Sequence, residues 1–301
     1  MKKLLITGAL RANEEFFKEL SSLGYEIIYH QNEKDALSDE AYNADAVICN
    51  GLFLHHDIEK FKNLKLIQLT SAGLDRVPLD YINKNGIKIC NARGVYSIPM
   101  AEFAISGVLS LYKASRYFYE NQKAHVWNKH RGLLEINAKR VLVVGAGNVG
   151  TECAKRFSAF GAQVIGVDLY PREDENYSYI VPLSSLNTEL PMADIVVLTL
   201  PLTDESKNLF DEATISLMKN SAVLVNIARG AIVDVDALVV ALENGKIFGA
   251  VLDVFSEEPL SAESPLWSME NVIITPHNSF VSDGNEARMH AVIKNNFQHQ
   301  G

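Results

Sequence analysis

Cysteine is scarce in this chain of 301 residues, which has only Cys49, Cys90 and Cys153. Their number is odd, they lie far apart, and no CxxC pair occurs. These features argue against a disulfide framework and a zinc site, and they favour a reducing compartment. We therefore expect a cytoplasmic protein.

Long hydrophobic runs are also absent, since no stretch of this sequence reaches the ~18 apolar residues of a membrane-spanning helix. The amino-terminal sequence Met1–Ile6 has two lysines before three apolar residues, and this run is too short for a signal peptide. We expect a first β-strand there, and no membrane partner.

An excess of basic charge is missing as well. The chain has 28 Lys and Arg against 37 Asp and Glu, which gives a net charge of −9. This balance argues against nucleic acid or an anionic membrane as the main partner. An anionic substrate would need a local basic group.

The sequence does contain short apolar runs that alternate with amphipathic segments such as 13–23. Its 48% hydrophobic content is that of a globular protein, and ~150 residues per domain predicts about two domains. Apolar strands separated by helices predict an α/β fold with two doubly wound parallel-sheet domains. The predicted strands are 3–7, 25–30, 46–49, 65–69, 87–90, 141–145, 163–168, 194–199, 222–227, 248–252 and 272–275.

Two βαβ units of one plan open the two predicted domains. The first unit runs from Gly8 to Gly24 and the second from Gly145 to Gly161, and both intervals are 16 residues. The first unit has Leu10 where the second has its next glycine, so only the second is predicted to bind a dinucleotide.

A long helix is predicted from about Pro99 to about Gln122, with Ser97 as its cap. The tail, about 282–300, has a further helical pattern and is predicted to pack on the first domain. The first domain is then discontinuous. The predicted domains are residues 1–98 with 280–301, and residues 99–279.

A GxGxxG motif follows the predicted strand 141–145 and precedes a helix. Gly145 permits a tight turn, Gly147 lets the backbone approach a pyrophosphate, and Gly150 allows close packing of helix and strand. Asp168 lies 23 residues after Gly145 and can accept hydrogen bonds from both ribose hydroxyls. The motif alone is weak, but its strand, helix and acidic residue together predict a dinucleotide site.

Asp168 also favours NAD over NADP, because a carboxylate repels a 2′-phosphate. Arg172, four residues later, would weaken this preference if it faced the ribose. We interpret Arg172 as a solvated loop charge.

Three polar residues follow consecutive predicted strands: Arg229, Glu258 and His277. Ligands of open α/β sheets bind beyond the carboxyl ends of the strands, so we expect these side chains to meet there. Histidine exchanges a proton near neutral pH and can protonate the alkoxide formed when a ketone is reduced. Glu258 would hold the imidazole and favour its charged form, and Arg229 would bind a substrate carboxylate through two parallel bonds.

Each of these residues alone is more often structural than functional. An Arg after a strand is usually a surface or cap residue. A Glu before Pro is usually a solvated charge, and a His after Pro is usually a structural residue. Their joint position behind a nucleotide loop favours the functional interpretation. The other histidines have no metal-ligand spacing, and we predict no metal.

The sequence resembles the D-isomer-specific 2-hydroxyacid dehydrogenase family over nearly its whole length. The matching stretches are Val144–Gly150, Asp194–Thr203, Met218–Asp234, Gly249–Leu260 and Ile274–His277. The resemblance implies a Rossmann cofactor domain, residues 99–279, inserted in a discontinuous flavodoxin-like substrate domain. It also implies NAD as cofactor, a small 2-oxo or 2-hydroxy acid as substrate, and a homodimer.

The resemblance assigns roles to individual residues. Arg229, Glu258 and His277 correspond to the catalytic residues, and Asp253 to an aspartate beside the nicotinamide amide. The implied substrate-binding residues are Ser71, Ala72, Gly73, Arg229 and His277. The implied cofactor-binding residues are Gly145, Gly147, Asn148, Val149, Gly150, Asp168, Leu200, Pro201, Ile227, Ala228, Arg229, Asp253 and His277.

The predicted activity is the interconversion of a small 2-oxo acid and its D-2-hydroxy acid with NAD(H), with His277 as acid/base. One alternative is an NAD-sensing regulator or corepressor of the same fold, against which the intact Arg229, Glu258 and His277 argue. A second is a formate dehydrogenase, in which the resemblance places glutamine where Glu258 stands. The family often carries Asn near the position of Tyr96, and this difference concerns the identity of the substrate.

Overall fold

The computed structural model describes residues 1–298, which fall into two compact units. Unit 1 comprises Met1–Tyr96 and the chain from Ser282 onward, and unit 2 comprises Ser97–Val281. These limits differ by two residues from the predicted domain limits at 98/99 and 279/280. The last residues of the predicted tail helix and first domain, 299–301, lie outside the described residues.

Unit 1 is built on a parallel sheet of five strands. Its elements are β1 (Lys2–Thr7), α1 (Glu14–Ser22), β2 (Tyr25–His30), α2 (Asp39–Tyr42), β3 (Ala46–Cys49), β4 (Leu66–Leu69), α3 (Leu79–Lys84), β5 (Lys88–Cys90) and the carboxy-terminal helix Asn285–Gln298. The strand order is β2-β1-β3-β4-β5. This is the flavodoxin-like order, as predicted.

Both faces of this sheet are covered, because successive side chains of β1 enter different cores. Leu4 and Ile6 belong to one hydrophobic cluster, and Leu5 belongs to another. The first cluster also contains Ile293 and Phe297 of the carboxy-terminal helix. The prediction that the tail packs on the first domain is therefore confirmed.

Unit 2 is built on a parallel sheet of seven strands. Its elements are α4 (Ser97–Tyr112), α5 (Ser115–Lys123), β6 (Arg140–Val144), α6 (Asn148–Ala159), β7 (Gln163–Asp168), β8 (Tyr179–Pro182), α7 (Leu186–Glu189), β9 (Ile195–Leu198), α8 (Glu212–Ser216), β10 (Val223–Asn226), α9 (Val235–Glu243), β11 (Gly249–Leu252) and β12 (Val272–Ile274). The carboxy-terminal helix of unit 1 is thus α10. The order β12-β11-β10-β9-β6-β7-β8 is that of a Rossmann domain, so the predicted fold class is confirmed.

The seven-stranded sheet is also buried on both faces. Leu142 and Val144 of β6 enter one cluster, while Val141 and Val143 enter the other. Burial of both faces explains why these strands are continuous apolar runs in the sequence. Loops at their carboxyl ends carry the polar residues.

The structure differs from the predicted secondary structure at three places. Strand β8 is missing from the predicted strands; it is a four-residue edge strand whose apolar residues Ile180 and Val181 are only partly buried. The helix predicted from 99 to 122 is two helices, α4 and α5, separated by Ala114 at a φ of 50°. The first helix stops because the carbonyl oxygen of Tyr112 accepts from the N–H of Leu134, 2.9 Å away. Ser97, predicted as the cap, is the first residue of α4.

Among residues 1–298, no helix has the length and apolar character needed to cross a membrane. The same residues contain no group of three or more His, Cys, Asp or Glu side chains placed to hold a metal ion. The three cysteines are all free.

Candidate active site

The glycine loop between β6 and α6 has contacts that only glycine permits. Gly145 has a φ of +101°, and a Cβ there would lie 2.6 Å from the backbone nitrogen of Leu200. A Cβ on Gly150 would lie 2.0 Å from the carbonyl oxygen of Gly145. Thr199 supports the turn, because its hydroxyl donates to the same Gly145 oxygen over 2.6 Å. Backbone packing therefore fixes the course of this loop.

The start of α6 is open to an anion. Its cap residue is Gly147, which has no side chain to bond the first N–H groups, and the first turn has no acidic residue. A Cβ on Gly147 would meet no atom within 4 Å, so space is free beside the backbone. Free N–H groups and the helix dipole favour a phosphate at such a terminus. The loop thus fits the pyrophosphate of a dinucleotide.

Asp168 ends β7 beside this loop. Its Oδ2 accepts from the N–H of Ala146 over 2.7 Å, and its Oδ1 accepts from the N–H of Tyr170 over 3.0 Å. Each carboxylate oxygen has a second lone pair. The side chain can therefore keep both backbone bonds while it accepts from two ribose hydroxyls.

Arg172 lies at the same loop and is exposed there, as its interpretation as a solvated loop charge predicts. A guanidinium N–H of Arg172 donates to the carbonyl oxygen of Ala146, and the group also lies 3.6 Å from the carboxylate of Asp174. A cation is thus placed at the loop that Asp168 also contacts. The spacing of four residues after Asp168 places Arg172 near this loop but does not reveal its contact with Ala146.

Arg229 lies on the loop after β10 and is exposed. The buried side chain of Asn226 organises this loop: its Oδ1 accepts from the N–H of Ala228 over 3.1 Å, and its Nδ2 donates to the carbonyl oxygen of Arg229 over 3.0 Å. The guanidinium donates to the carbonyl oxygen of Ala228 over 2.7 Å. The remaining guanidinium N–H groups can bind a carboxylate.

Glu258 and His277 form a bonded pair, as their placement in the sequence predicts. The Oε2 of Glu258 lies 2.8 Å from the Nδ1 of His277, and its Oε1 accepts from the N–H of Phe255 over 3.0 Å. An ionised carboxylate only accepts, so Nδ1 carries the shared hydrogen and Nε2 is left for proton exchange. The side chains are 42% and 37% exposed for His277 and Glu258, respectively, so a ligand can reach them.

The loops that carry Arg229 and Glu258 are in close contact. A Cβ on Gly230 would lie 1.9 Å from the backbone carbon of Phe255, so the two backbones touch where only glycine fits. Phe255 is the residue whose N–H holds Glu258. A side chain at position 230 would therefore displace the support of the carboxylate.

Asp253 directly follows β11 and is 0% exposed. Its Oδ1 accepts from the hydroxyl of Thr275 over 2.6 Å and from the N–H of Asn278 over 2.8 Å, and its Oδ2 accepts from the N–H of Ser279 over 3.0 Å. These contacts connect the carboxylate to the segment that carries His277. The predicted contact of Asp253 with the nicotinamide amide stays a prediction.

The other predicted cofactor-binding residues lie at the carboxyl edge of the same sheet. Leu200, Ile227 and Ala228 are buried, whereas Pro201 and Asn148 are exposed. Val149 is half-buried in the first turn of α6. Their contact with the cofactor remains a prediction.

In unit 1, the turn Ser71–Gly73 follows β4. The hydroxyl of Ser71 donates to the carbonyl oxygen of Gly73 over 3.1 Å, and the Nδ2 of Asn91 donates to the carbonyl oxygen of Ala72 over 2.6 Å. Within residues 1–298, no protein acceptor bonds the N–H groups of Ala72 and Gly73. The turn thus offers two donors to a carboxylate.

Tyr96 supports the base of that turn. Its hydroxyl donates to the carbonyl oxygen of Thr70 over 2.5 Å, and burial raises the pKa of the phenol. The tyrosine therefore remains a donor, and it holds the residue that precedes Ser71.

Sequence reasoning missed several polar residues of this site, including Asn226, Thr199 and Thr275. The available signal was a polar residue at or just beyond the end of an apolar strand, as in the run Val223–Asn226. Buried polar groups at such places need hydrogen-bond partners, and here the partners are the functional loops.

Known proteins are similar to this chain over most of its length. Residues 105–279 match the family model described as D-isomer specific 2-hydroxyacid dehydrogenase, NAD binding domain. The chain is 34% identical to a D-3-phosphoglycerate dehydrogenase of Methanocaldococcus jannaschii over 92% of its own length and 53% of that protein. It thus spans about half the length of this relative.

Two further proteins are similar over most of both chains. A glyoxylate reductase of Korarchaeum cryptofilum is 31% identical, over 93% of this chain and 90% of that protein. The structure of D-lactate dehydrogenase from Aquifex aeolicus, complexed with NAD and lactic acid, has a TM-score of 0.77 and 29% identity. That match covers 97% of this chain and 93% of the other.

Proposed function

The chain belongs to the D-isomer-specific 2-hydroxyacid dehydrogenase family and has NAD as its cofactor, and from this premise we propose that it interconverts a small 2-oxo acid and its D-2-hydroxy acid. The observation that carries the proposal is the Glu258–His277 pair, with 2.8 Å between carboxylate and imidazole. The pair follows strands of the domain whose glycine loop fits the dinucleotide. A protein that only binds NAD does not require a proton donor in this place.

The proposed reaction divides the work between cofactor and protein. Bound NADH supplies the hydride that adds to the carbonyl carbon of the substrate. His277 gives the proton on Nε2 to the carbonyl oxygen, and Glu258 stabilises the charged imidazole from the Nδ1 side. Arg229 binds the substrate carboxylate and adds positive charge near the developing alkoxide. For unit 1, we propose that the N–H groups of the turn Ser71–Gly73 bind a carboxylate.

The direct test is oxidation of NADH, followed by absorbance, with a panel of small 2-oxo acids. The proposal expects at least one rapid substrate and a product of D configuration. A panel without turnover, in a protein that binds NADH, would support the binding-only regulator instead. The choice of panel includes glyoxylate, since relatives named glyoxylate reductase are among the similar proteins.

Cofactor choice gives a first prediction. NADH should exceed NADPH in kcat/KM by about 10²-fold, because a 2′-phosphate replaces the hydroxyl that donates one charge-assisted bond of about 1.5–3 kcal/mol and is also repelled by the carboxylate. Asp168→Ala should narrow this ratio. Steady-state kinetics with both cofactors measure it.

Arg172 provides the matched variant for this prediction. It lies at the same loop with the opposite charge, so Arg172→Ala should widen the preference for NADH rather than narrow it. Equal kcat/KM for the two cofactors in the parent enzyme would contradict the assignment of Asp168.

We also propose that the protein is a homodimer, with segment 118–131 in the interface. Trp127 is 97% exposed, and Tyr119 is largely exposed as well. The segment also carries Lys129 and Arg131, in a chain with a net charge of −9. An apolar and basic surface of this kind is complementary to a second copy of the acidic chain.

Sedimentation velocity tests this assembly. The parent protein should sediment as a particle of twice the mass of one chain, and Trp127→Ser should shift it toward the monomer. Val240→Ser is the control, since Val240 is also exposed but lies on α9, outside the segment. A monomeric parent protein would reject the proposal.

The free state of all three cysteines supports the cytoplasm as the proposed location.

A further inference from the structure

The buried carboxylate of Asp253 forms hydrogen bonds with one segment of the chain, residues 275–279. Its three hydrogen-bond donors, Thr275, Asn278 and Ser279, all lie within five residues of chain. The three donors are one hydroxyl and two backbone N–H groups, all of them uncharged. A fully buried carboxylate is costly unless hydrogen bonds compensate it. Here all of the compensation comes from the segment that carries His277.

The same segment contains a strained residue, His277 itself. Its φ is 50°, in the left-handed region that a histidine rarely adopts. The N–H of His277 donates to the carbonyl oxygen of Asp253 over 2.8 Å. The next two N–H groups, of Asn278 and Ser279, donate to its carboxylate. Three successive N–H groups thus bond to Asp253, one to its carbonyl oxygen and two to its carboxylate.

The backbone of this turn sets the direction of the imidazole. With His277 in the left-handed region, the ring meets Glu258 at 2.8 Å and the edge of Phe280, with 6.0 Å between ring centroids. Relaxation of φ to a negative value would rotate the Cα–Cβ bond and separate the imidazole from its carboxylate partner. Strain of this kind persists only where surrounding contacts impose it.

We propose that Asp253 is the positioning residue of His277: its buried carboxylate holds the left-handed turn that directs the imidazole toward Glu258. The role differs from a contact with the nicotinamide amide, because it acts through the backbone of residues 277–279. The inference rests on the proposed function only in that His277 is taken as the acid/base.

The kinetic test uses two variants of graded severity. Asp253→Asn keeps the size but turns an N–H toward the N–H of Ser279, and kcat should fall about 10- to 100-fold, as for a misplaced catalytic group. Thr275→Val removes one hydrogen bond to Asp253 and keeps both backbone bonds, and kcat should fall about fivefold. The dissociation constant of NADH should change little in both variants. If Asp253 acts on the nicotinamide amide instead, that constant should rise while kcat is spared.

A double-mutant cycle separates positioning from general loss of structure. In a His277→Gln background, the change Asp253→Asn should have almost no further effect on kcat, because the group that it positions is already absent. A merely structural role would lower kcat by the same factor in both backgrounds, and that result would overturn the proposal.

A readout independent of turnover keeps the proposal testable if no substrate is found. In proton NMR, the hydrogen on Nδ1 of His277 should give a downfield resonance, caused by its bond to Glu258 and absent from His277→Gln. Asp253→Asn should move this resonance upfield or broaden it through exchange with water. An unchanged resonance would reject the positioning role. Failure of the 2-oxo acid panel alone would reject only the proposed activity.

Discussion

Replacement of His277 by alanine is expected to lower kcat by about 10²–10⁴-fold in both directions, which is the usual contribution of a general acid–base group. The physical reason is that Nε2 is the proton-exchanging atom left open once Nδ1 is bonded to Glu258. Absorbance of NADH measures both 2-oxo acid reduction and D-2-hydroxy acid oxidation. NADH affinity should change little, which separates loss of proton transfer from loss of folding.

Glu258→Gln is the companion variant, since it keeps the size and a hydrogen bond but removes the charge. The protonated imidazole is then less favoured, and reduction starts from that form. Reduction should therefore lose more of its kcat than oxidation, which starts from the neutral imidazole and is relatively spared. If Glu258→Gln leaves the kcat of reduction unchanged, Glu258 is an ordinary loop charge.

Arg229→Ala is expected to lower kcat/KM for 2-oxo acids by about 10²–10³-fold, the range found when a preorganised donor at a developing charge is removed. The loss should appear in both KM and kcat, because the guanidinium binds the carboxylate and also polarises the carbonyl. Arg229→Lys should recover only part of the lost kcat/KM, since an ammonium cannot form two parallel bonds. Steady-state kinetics of the two variants measure this order.

A substrate without the carboxylate charge provides the control for Arg229. With a 2-oxo amide, parent and Arg229→Ala should differ far less than with the corresponding 2-oxo acid. A lysine variant with the parent's kinetics would contradict the bidentate role.

The strands and the glycine loop were predictable because each leaves a local pattern in the sequence. Residues such as Val141–Val144 are buried on both faces, and that burial produces an apolar run. Gly145 and Gly150 occupy positions where a Cβ would overlap backbone atoms, so the spacing of the motif reflects the shape of the turn. The Glu258–His277 bond was predictable because parallel strands deliver both loops to one edge.

Other features depend on contacts that the sequence does not reveal. Strand β8 is a short edge strand that is only partly buried, so its sequence lacks the long apolar run of the central strands. Arg172 reaches Ala146 only through the fold of the intervening chain. The roles of Asn226 and Asp253 depend on which N–H groups lie beside them, and residue type alone does not determine this.

The discontinuity of unit 1 has a consequence for synthesis on the ribosome. Its core includes Ile293 and Phe297, which are made only after the 185 residues of Ser97–Val281. At about 5–20 residues per second, the amino-terminal sheet waits roughly 10–40 s for the helix that covers it. Unit 2 is continuous in the chain and can fold during that interval. The face of the nascent β1–β5 sheet that packs against Ile293 and Phe297 is therefore incompletely covered until the end of synthesis.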